Sequence, residues 1–277
     1  MRDAPDKDIP PNLRGWLSEV YMTAALTAQS EHLARRLGER STVDDPVFGR
    51  AKGMPKLAEF LRDISEWLTN RDAAFDKTAF TLGPDSDVTE GTLALTLDQR
   101  RVSIPAAIVA ERRRGREVEM RLYYSTQAIR GPGAPRPRLH PDAEPIPVPP
   151  PVATHIDALA RGDVDAAVAS FQSGGSLRDS AGVVHVRDNG GGSLRVWHEN
   201  LLRARRGQPG RGTYEIAKGG ARTDDGRTCA LEYTVVRAHG ADVVPQPGLA
   251  IYERGESGLL SALRVYDDVQ PLGPLAE

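Results

Sequence analysis

The sequence predicts an α+β protein built as two tandem copies of one unit, each with helices first and a curved antiparallel sheet after. Three observations carry that reading. A proline-dense stretch, GPGAPRPRLHPDAEPIPVPPP at 131–151, divides the 277 residues into halves. Each half then runs through the same order: helix, short extended piece with an aspartate, helix, four strand-like runs. Finally, Glu111-Arg112 is echoed by Glu253-Arg254, and Arg121-Leu122-Tyr123 by Arg264-Val265-Tyr266. Proline at this density removes backbone donors and blocks both helix and central strand, so 131–151 reads as a semi-rigid linker. The expected units are 1–130 and 152–277.

The elements of the first unit follow in order. LRGWLSEVYMTAALTAQSEHLARRLG (13–38) carries apolar residues at helical spacing and stops at Gly38. STVDDPVFGR (41–50) reads as a short strand, a turn at Asp-Pro and a further extended piece. MPKLAEFLRDISEWL (54–68) is an amphipathic helix with Leu57, Phe60, Leu61, Ile64 and Leu68 on one stripe. Strand-like runs follow near 75–83, 87–98, 101–112 and 117–128.

The second unit repeats the series. ATHIDALARGDVDAAVASF (153–171) gives one or two helices broken at Gly162-Asp163. GSLRDSAGVVHVR supplies the short strands and SLRVWHENLLRAR the next helix. Strand-like runs lie near 213–222, 228–238, 246–254 and 259–268.

Bulk composition excludes several function classes. Thirty-six basic against thirty-eight acidic residues leave a net charge of −2, so no global field draws the protein to nucleic acid or to an anionic membrane. The basic runs ERRRGR (111–116) and RARRGQPGR (203–211) lack interleaved aromatics and read as solvated tips. No stretch approaches the roughly 20 apolar residues of a membrane helix, and MRDAPDKDIPPN lacks the apolar core of a signal peptide; a cytoplasmic protein is expected. The single cysteine, Cys229, rules out an internal disulfide and reads as inert filler of a half-buried strand. His185 and His198 read as surface residues, no His/acid spacing suggests a metal site, and DNGGGS lacks the lysine and preceding strand of a phosphate cradle. No cofactor, metal or nucleotide is expected.

The residues themselves carry a resemblance. HIDALARGDVDAAVASF, DDGRTCALEYTVVR and PGLAIYERGESGLLSALRVYDDV look very like a SnoaL-like domain, while YMTAAL and TVDDP resemble ketosteroid isomerase segments bearing an acidic tyrosine and a proton-shuttling aspartate. The chain thus resembles a tandem pair of the cone-shaped fold shared by ketosteroid isomerase, nuclear transport factor 2 (NTF2) and the SnoaL-like polyketide cyclases. The resemblance implies a fold that hosts isomerases, cyclases, dehydratases, epoxide hydrolases and non-catalytic modules alike.

It also implies candidate site residues. Tyr21 stands 24 positions before Asp45, the spacing of the isomerase pattern, and His155 stands 24 positions before Asp179. Asp45 and Asp179 would lie on the floor of each cone, opposite Tyr21 and His155 on the first helix. A carboxylate in an apolar pocket can take a proton from carbon beside a carbonyl, and a phenol or imidazole opposite can donate to the developing enolate. The pattern's second, protonated aspartate is replaced by Ala107 and Leu249, which argues against true ketosteroid isomerisation. By resemblance, Ala230, Glu232, Thr234 and Val236 would face into the second cone, with Leu263, Val265 and Asp267, while Arg264 and Tyr266 face the back of the sheet. In the first unit Glu90 is the one obvious further acid.

The expected function is therefore cofactor-independent acid/base catalysis on a small apolar metabolite such as a polyketide intermediate, by Asp179, His155, Glu232 and Asp267 or by Asp45 and Tyr21. The alternative is a non-catalytic ligand-binding or assembly module. Either would use an internal pseudo-dimer of the two units, with Arg121, Tyr123, Arg264 and Tyr266 at the join, and would permit a homodimer.

Overall fold

The computed structural model describes residues 10–113, 117–131, 136, 139, 146–188, 192–205, 214–217, 222–239 and 242–268. The chain divides into two compact units, Met1–Tyr123 and Tyr124–Glu277.

In the first unit α1 (Leu17–Leu26) and α2 (Ser30–Leu37) replace the single long helix expected. The break falls at Ala28, whose φ of 55° lies in the left-handed region. Neither glycine nor proline marks it. What it achieves is packing against α3 (Lys56–Thr69): Ser30 Oγ donates to the Leu61 carbonyl at 3.0 Å and Ser65 Oγ to the Ala25 carbonyl at 2.5 Å. Between these helices, β1 (Thr42–Asp45) and β2 (Gly49–Lys52) form the short pair around the Asp-Pro turn. β3 (Ala74–Leu82), β4 (Ser86–Leu97), β5 (Arg100–Arg112) and β6 (Val118–Tyr124) follow, within a few residues of their expected positions. The sheet order is β2-β1-β6-β5-β4-β3, with β1 and β6 parallel.

After a one-turn helix α4 (Gln127–Arg130), the second unit has α5 (Pro150–Arg161), α6 (Val164–Ala169), β7 (Phe171–Arg178), β8 (Val184–Val186) and α7 (Gly192–Arg205). Pro150 opens α5, where a missing N–H costs nothing. Gly162 ends α5 in the left-handed conformation, and the Asp163 carboxylate caps α6 by accepting from the Ala166 amide at 2.9 Å. The strand expected at 213–222 is two strands, β9 (Tyr214–Ala217) and β10 (Arg222–Asp224), with 218–221 outside the described residues. β11 (Thr228–His239), β12 (Asp242–Arg254) and β13 (Leu260–Tyr266) complete a sheet ordered β10-β11-β12-β13-β7-β8, with β9 also on β11.

The two sheets share one plan. β7 and β13 pair in parallel as β1 and β6 do, and Thr234 faces Pro247 as Thr92 faces Pro105. That register makes Glu232 the counterpart of Glu90 and Leu249 that of Ala107. The echoed residues are ion pairs: Arg121 binds Glu111 at 2.8 Å in the first unit and Arg264 binds Glu253 at 2.6 Å in the second. Each unit has helices leading onto a mixed, mainly antiparallel sheet, so the protein is α+β with one layout used twice.

At the start of the second unit, Asp268 accepts from the Ser125 hydroxyl (3.1 Å), the Thr126 hydroxyl (2.6 Å) and the Thr126 amide (2.5 Å). This clasp ties the segment after Tyr124 to the end of β13.

Candidate functional site

In the second unit one face of the sheet packs beneath α5 and α7. Its apolar floor is Leu177 of β7, Leu263 and Val265 of β13, Ala250 and Tyr252 of β12, and Cys229 and Leu231 of β11, covered by Val152 of α5 and Leu194 of α7. Because successive side chains on a strand alternate, this fixes the opposite face too. Ala230, Glu232 and Thr234 lie on the side away from the helices. The expectation that Glu232 faces into the cone is therefore corrected: Leu231 and Tyr233 hold the inner positions. Glu232 is still buried, at 2% exposure, but on the other face. Glu90 stands in the same place in the first unit. The inner acid there is Asp87, fully buried, which accepts from the Ser18 amide of α1 at 2.9 Å and from Arg112 at 3.2 Å. Burial pushes its carboxyl up despite those contacts.

One cross-strand row of the inner face runs Cys229, Tyr252, Leu263, Leu177, His185. His155, on α5, sits over this row with ring centroids 5.7 Å from Tyr252 and 5.4 Å from Phe171. It does not meet Asp179. Its Nε2 lies 3.1 Å from Nε2 of His198 on α7, whose Nδ1 is 2.8 Å from the Leu194 carbonyl. Both rings are buried, with His198 fully enclosed, which corrects its reading as a surface residue. The missed signal was helical spacing: Leu194, His198 and Leu202 recur every fourth residue, placing the imidazole on the buried stripe. Burial holds both rings well toward the neutral form, pulling His198 down to about 4 and His155 well below its ordinary value, with each affected further by a neighbouring histidine.

Asp179 ends the first strand of this unit as expected, but its Oδ1 accepts from the Ala181 amide (3.0 Å) and the Val183 amide (2.9 Å), capping the turn. Its Oδ2 faces His185 Nε2 at 3.1 Å. His185 is mostly covered, not a free surface residue, and its ring lies 6.3 Å from Trp197, which in turn packs 5.1 Å from His198. Asp267 is on the inner face as expected and accepts the Tyr233 hydroxyl at 2.6 Å. The Tyr233 ring lies directly over Gly248, where an added Cβ would meet it at 2.5 Å.

In the first unit Asp45 Oδ1 likewise caps its turn, accepting from the Val47 amide (2.7 Å) and the Phe48 amide (3.0 Å). Tyr21 is completely buried, and burial followed by the charge of Asp45 raises its phenol well above the ordinary range. The structure thus brings Tyr21 and Asp45 near one another. Tyr21 and His155 each have a buried polar atom without a hydrogen-bond partner among the described residues: the Tyr21 hydroxyl and His155 Nδ1. Leaving such a group unpaired costs about 1–3 kcal/mol, and so asks for a reason.

Among the described residues no group of three His, Cys, Asp or Glu side chains is placed to hold a metal ion, and no helix is long and apolar enough to cross a membrane. Of the four residues expected at the join, Arg121 and Arg264 make the ion pairs above, and Tyr266 accepts from Arg178 within its own unit.

No family model matches the sequence, and no curated protein matches it. Among solved structures, a protein from Kribbella flavida is 18% identical, with a TM-score of 0.33 over 45% of this chain and 88% of its own. A protein of ketosteroid isomerase-like fold from Catenulispora acidiphila, solved with trimethylamine, is 12% identical, with a TM-score of 0.35 over 46% of this chain and 91% of its own. SalBIII, an epoxide hydrolase/cyclase-like enzyme in pyran ring formation in the polyether salinomycin, is 17% identical, with a TM-score of 0.34 over 44% of this chain and 90% of its own.

Proposed function

We propose that the second unit performs acid/base chemistry on a small, largely apolar molecule, without metal or nucleotide: a cyclisation, isomerisation, dehydration or epoxide opening. One observation carries the reading. Tyr252, His155, His198, His185 and Asp179 bring polar side chains together between the helices and the apolar floor of the sheet, where leucine would pack at no desolvation cost. Asp179 orients His185, so that the imidazole can exchange a proton with a bound molecule through its other nitrogen. Neutral His155 contributes a hydrogen-bond acceptor over the same row. Asp267 with Tyr233 supports the neighbouring wall. In the first unit the Tyr21–Asp45 pair is the equivalent candidate, and Glu232 has no part in either.

The alternative is a non-catalytic binding or assembly module. It is favoured by the use of Oδ1 in both Asp45 and Asp179 to cap turns, the ordinary task of an aspartate in that position.

The test is ligand-detected binding. The protein is incubated with a small-molecule extract, washed and denatured, and the released compounds are identified by mass spectrometry, with Asp179→Asn and Asp45→Asn in parallel. A retained compound changed by the wild type and left unchanged by one variant supports catalysis and names the working unit. Retention of unchanged compound by all three proteins favours the binding module, and no retention by any favours assembly.

A further inference from the structure

The pairing of His155 with His198 fixes where the protons lie. His198 Nδ1 faces a carbonyl oxygen, which only accepts, so Nδ1 carries the proton. In the neutral ring Nε2 is then an acceptor, and the Nε2 that faces it on His155 has to be the donor. His155 Nδ1 is thereby left as a lone pair, fully buried, with no donor among the described residues. Its surroundings are the rings of Phe171 and Tyr252 and the apolar floor of the sheet.

Resting on the reading of the second unit as a small-molecule site, we infer that His155 Nδ1 is a ligand-selecting acceptor. It takes the O–H of a neutral hydroxyl compound, an alcohol, phenol or enol on an apolar skeleton. The chemistry excludes the other classes. A ketone, ether or ester offers only lone pairs and would set acceptor against acceptor. A carboxylate would add repulsion from the same lone pair, and an ammonium group would bring a charge into an apolar interior with no carboxylate among the neighbours named above. His198 is a positioning residue: it touches no ligand and acts by denying His155 the other tautomer.

The probes are β-naphthol and its methyl ether, alike in shape and differing in the donor. Binding to the whole chain is followed by calorimetry, and the tautomers by heteronuclear NMR of labelled histidine. The wild type should prefer the naphthol by about tenfold or more, the scale of one unsatisfied buried group. Its free form should show protons on His198 Nδ1 and His155 Nε2, with His155 Nδ1 shifting when the naphthol binds. His155→Phe, a ring replacing a ring among aromatics, should bind both probes alike. His198→Leu should erode the preference and let a proton appear on His155 Nδ1. A proton on His155 Nδ1 in the free wild type, equal affinity for the two probes, or no binding of the naphthol overturns the inference. Discrimination without any turnover would leave it standing and refute catalysis, while Asp179-dependent turnover of a compound lacking a hydroxyl would do the reverse.

Discussion

Acid should loosen the second unit in a way that the two buried histidines control. His198 is held down to about 4 against an ordinary 6.5, so the folded unit refuses a proton that the unfolded chain accepts. Below about pH 6.5 the unfolded state binds more protons, and stability falls until the pH reaches the folded value near 4, where the difference stops growing. From about pH 7 to about pH 4.5, His198 alone should remove about 2.5 kcal/mol, and His155, shifted the same way, adds to the loss. With a urea dependence of about 1–3 kcal/mol per molar, the midpoint should drop by roughly 1–2 M. Trp197 reports on the right unit, since Trp16 and Trp67 lie in the other and can be replaced by phenylalanine. Protonation of carboxylates such as Asp179 and Asp267 also weakens the fold in acid, so the comparison is with a His155→Phe, His198→Leu variant that keeps those groups. The wild type should lose at least about 2 kcal/mol more than the variant over this range. Equal losses, or an NMR titration of His198 near its ordinary value, would refute it.

Three further outcomes follow from single contacts. Tyr21→Phe removes a buried hydroxyl with no partner among the described residues and should leave the first unit as stable or up to about 1 kcal/mol more stable by urea melts; a loss of more than that would mean that the hydroxyl is satisfied. Gly248→Ala drives a methyl into the Tyr233 ring and should cost about 1–3 kcal/mol, much of it recovered when Tyr233→Leu is added; equal costs in both backgrounds would show that the ring is not the obstacle. Asp268→Ala opens the clasp on Thr126, and hydrogen exchange should speed at that amide by about tenfold or more while the β12 amides are unchanged.

Much of the candidate site was legible as residues and little of it as geometry. The strand-end aspartates, Asp45 and Asp179, could be found from the turn chemistry and the 24-residue spacing. Their partners could not. Tyr21 lies near Asp45, whereas Asp179 faces His185 and His155 turns to His198, because which helix overhangs which strand depends on packing rather than on spacing. Glu232 shows the limit most clearly. Strand alternation separates two sets of side chains without saying which is inward, and burial does not discriminate here, since Leu231, Glu232 and Thr234 are all covered. The more apolar set, Leu231 with Cys229 and Tyr233, was the better guide.

By itself the sequence determined the duplication, the order of elements and most strand positions, because hydrophobic period, proline density and turn residues act locally and repeat in both halves. The matched Glu111–Arg121 and Glu253–Arg264 pairs were visible as echoes before they were visible as ion pairs. Only the tertiary structure decided the break at Ala28, the inner face of β11 and the tautomers of the histidine pair. Each of these depends on contacts between residues distant in sequence: Ser65 on the Ala25 carbonyl, the apolar floor closing under α5 and α7, and two imidazoles meeting across helices. Their energies belong to pairs of elements, and no local pattern encodes them.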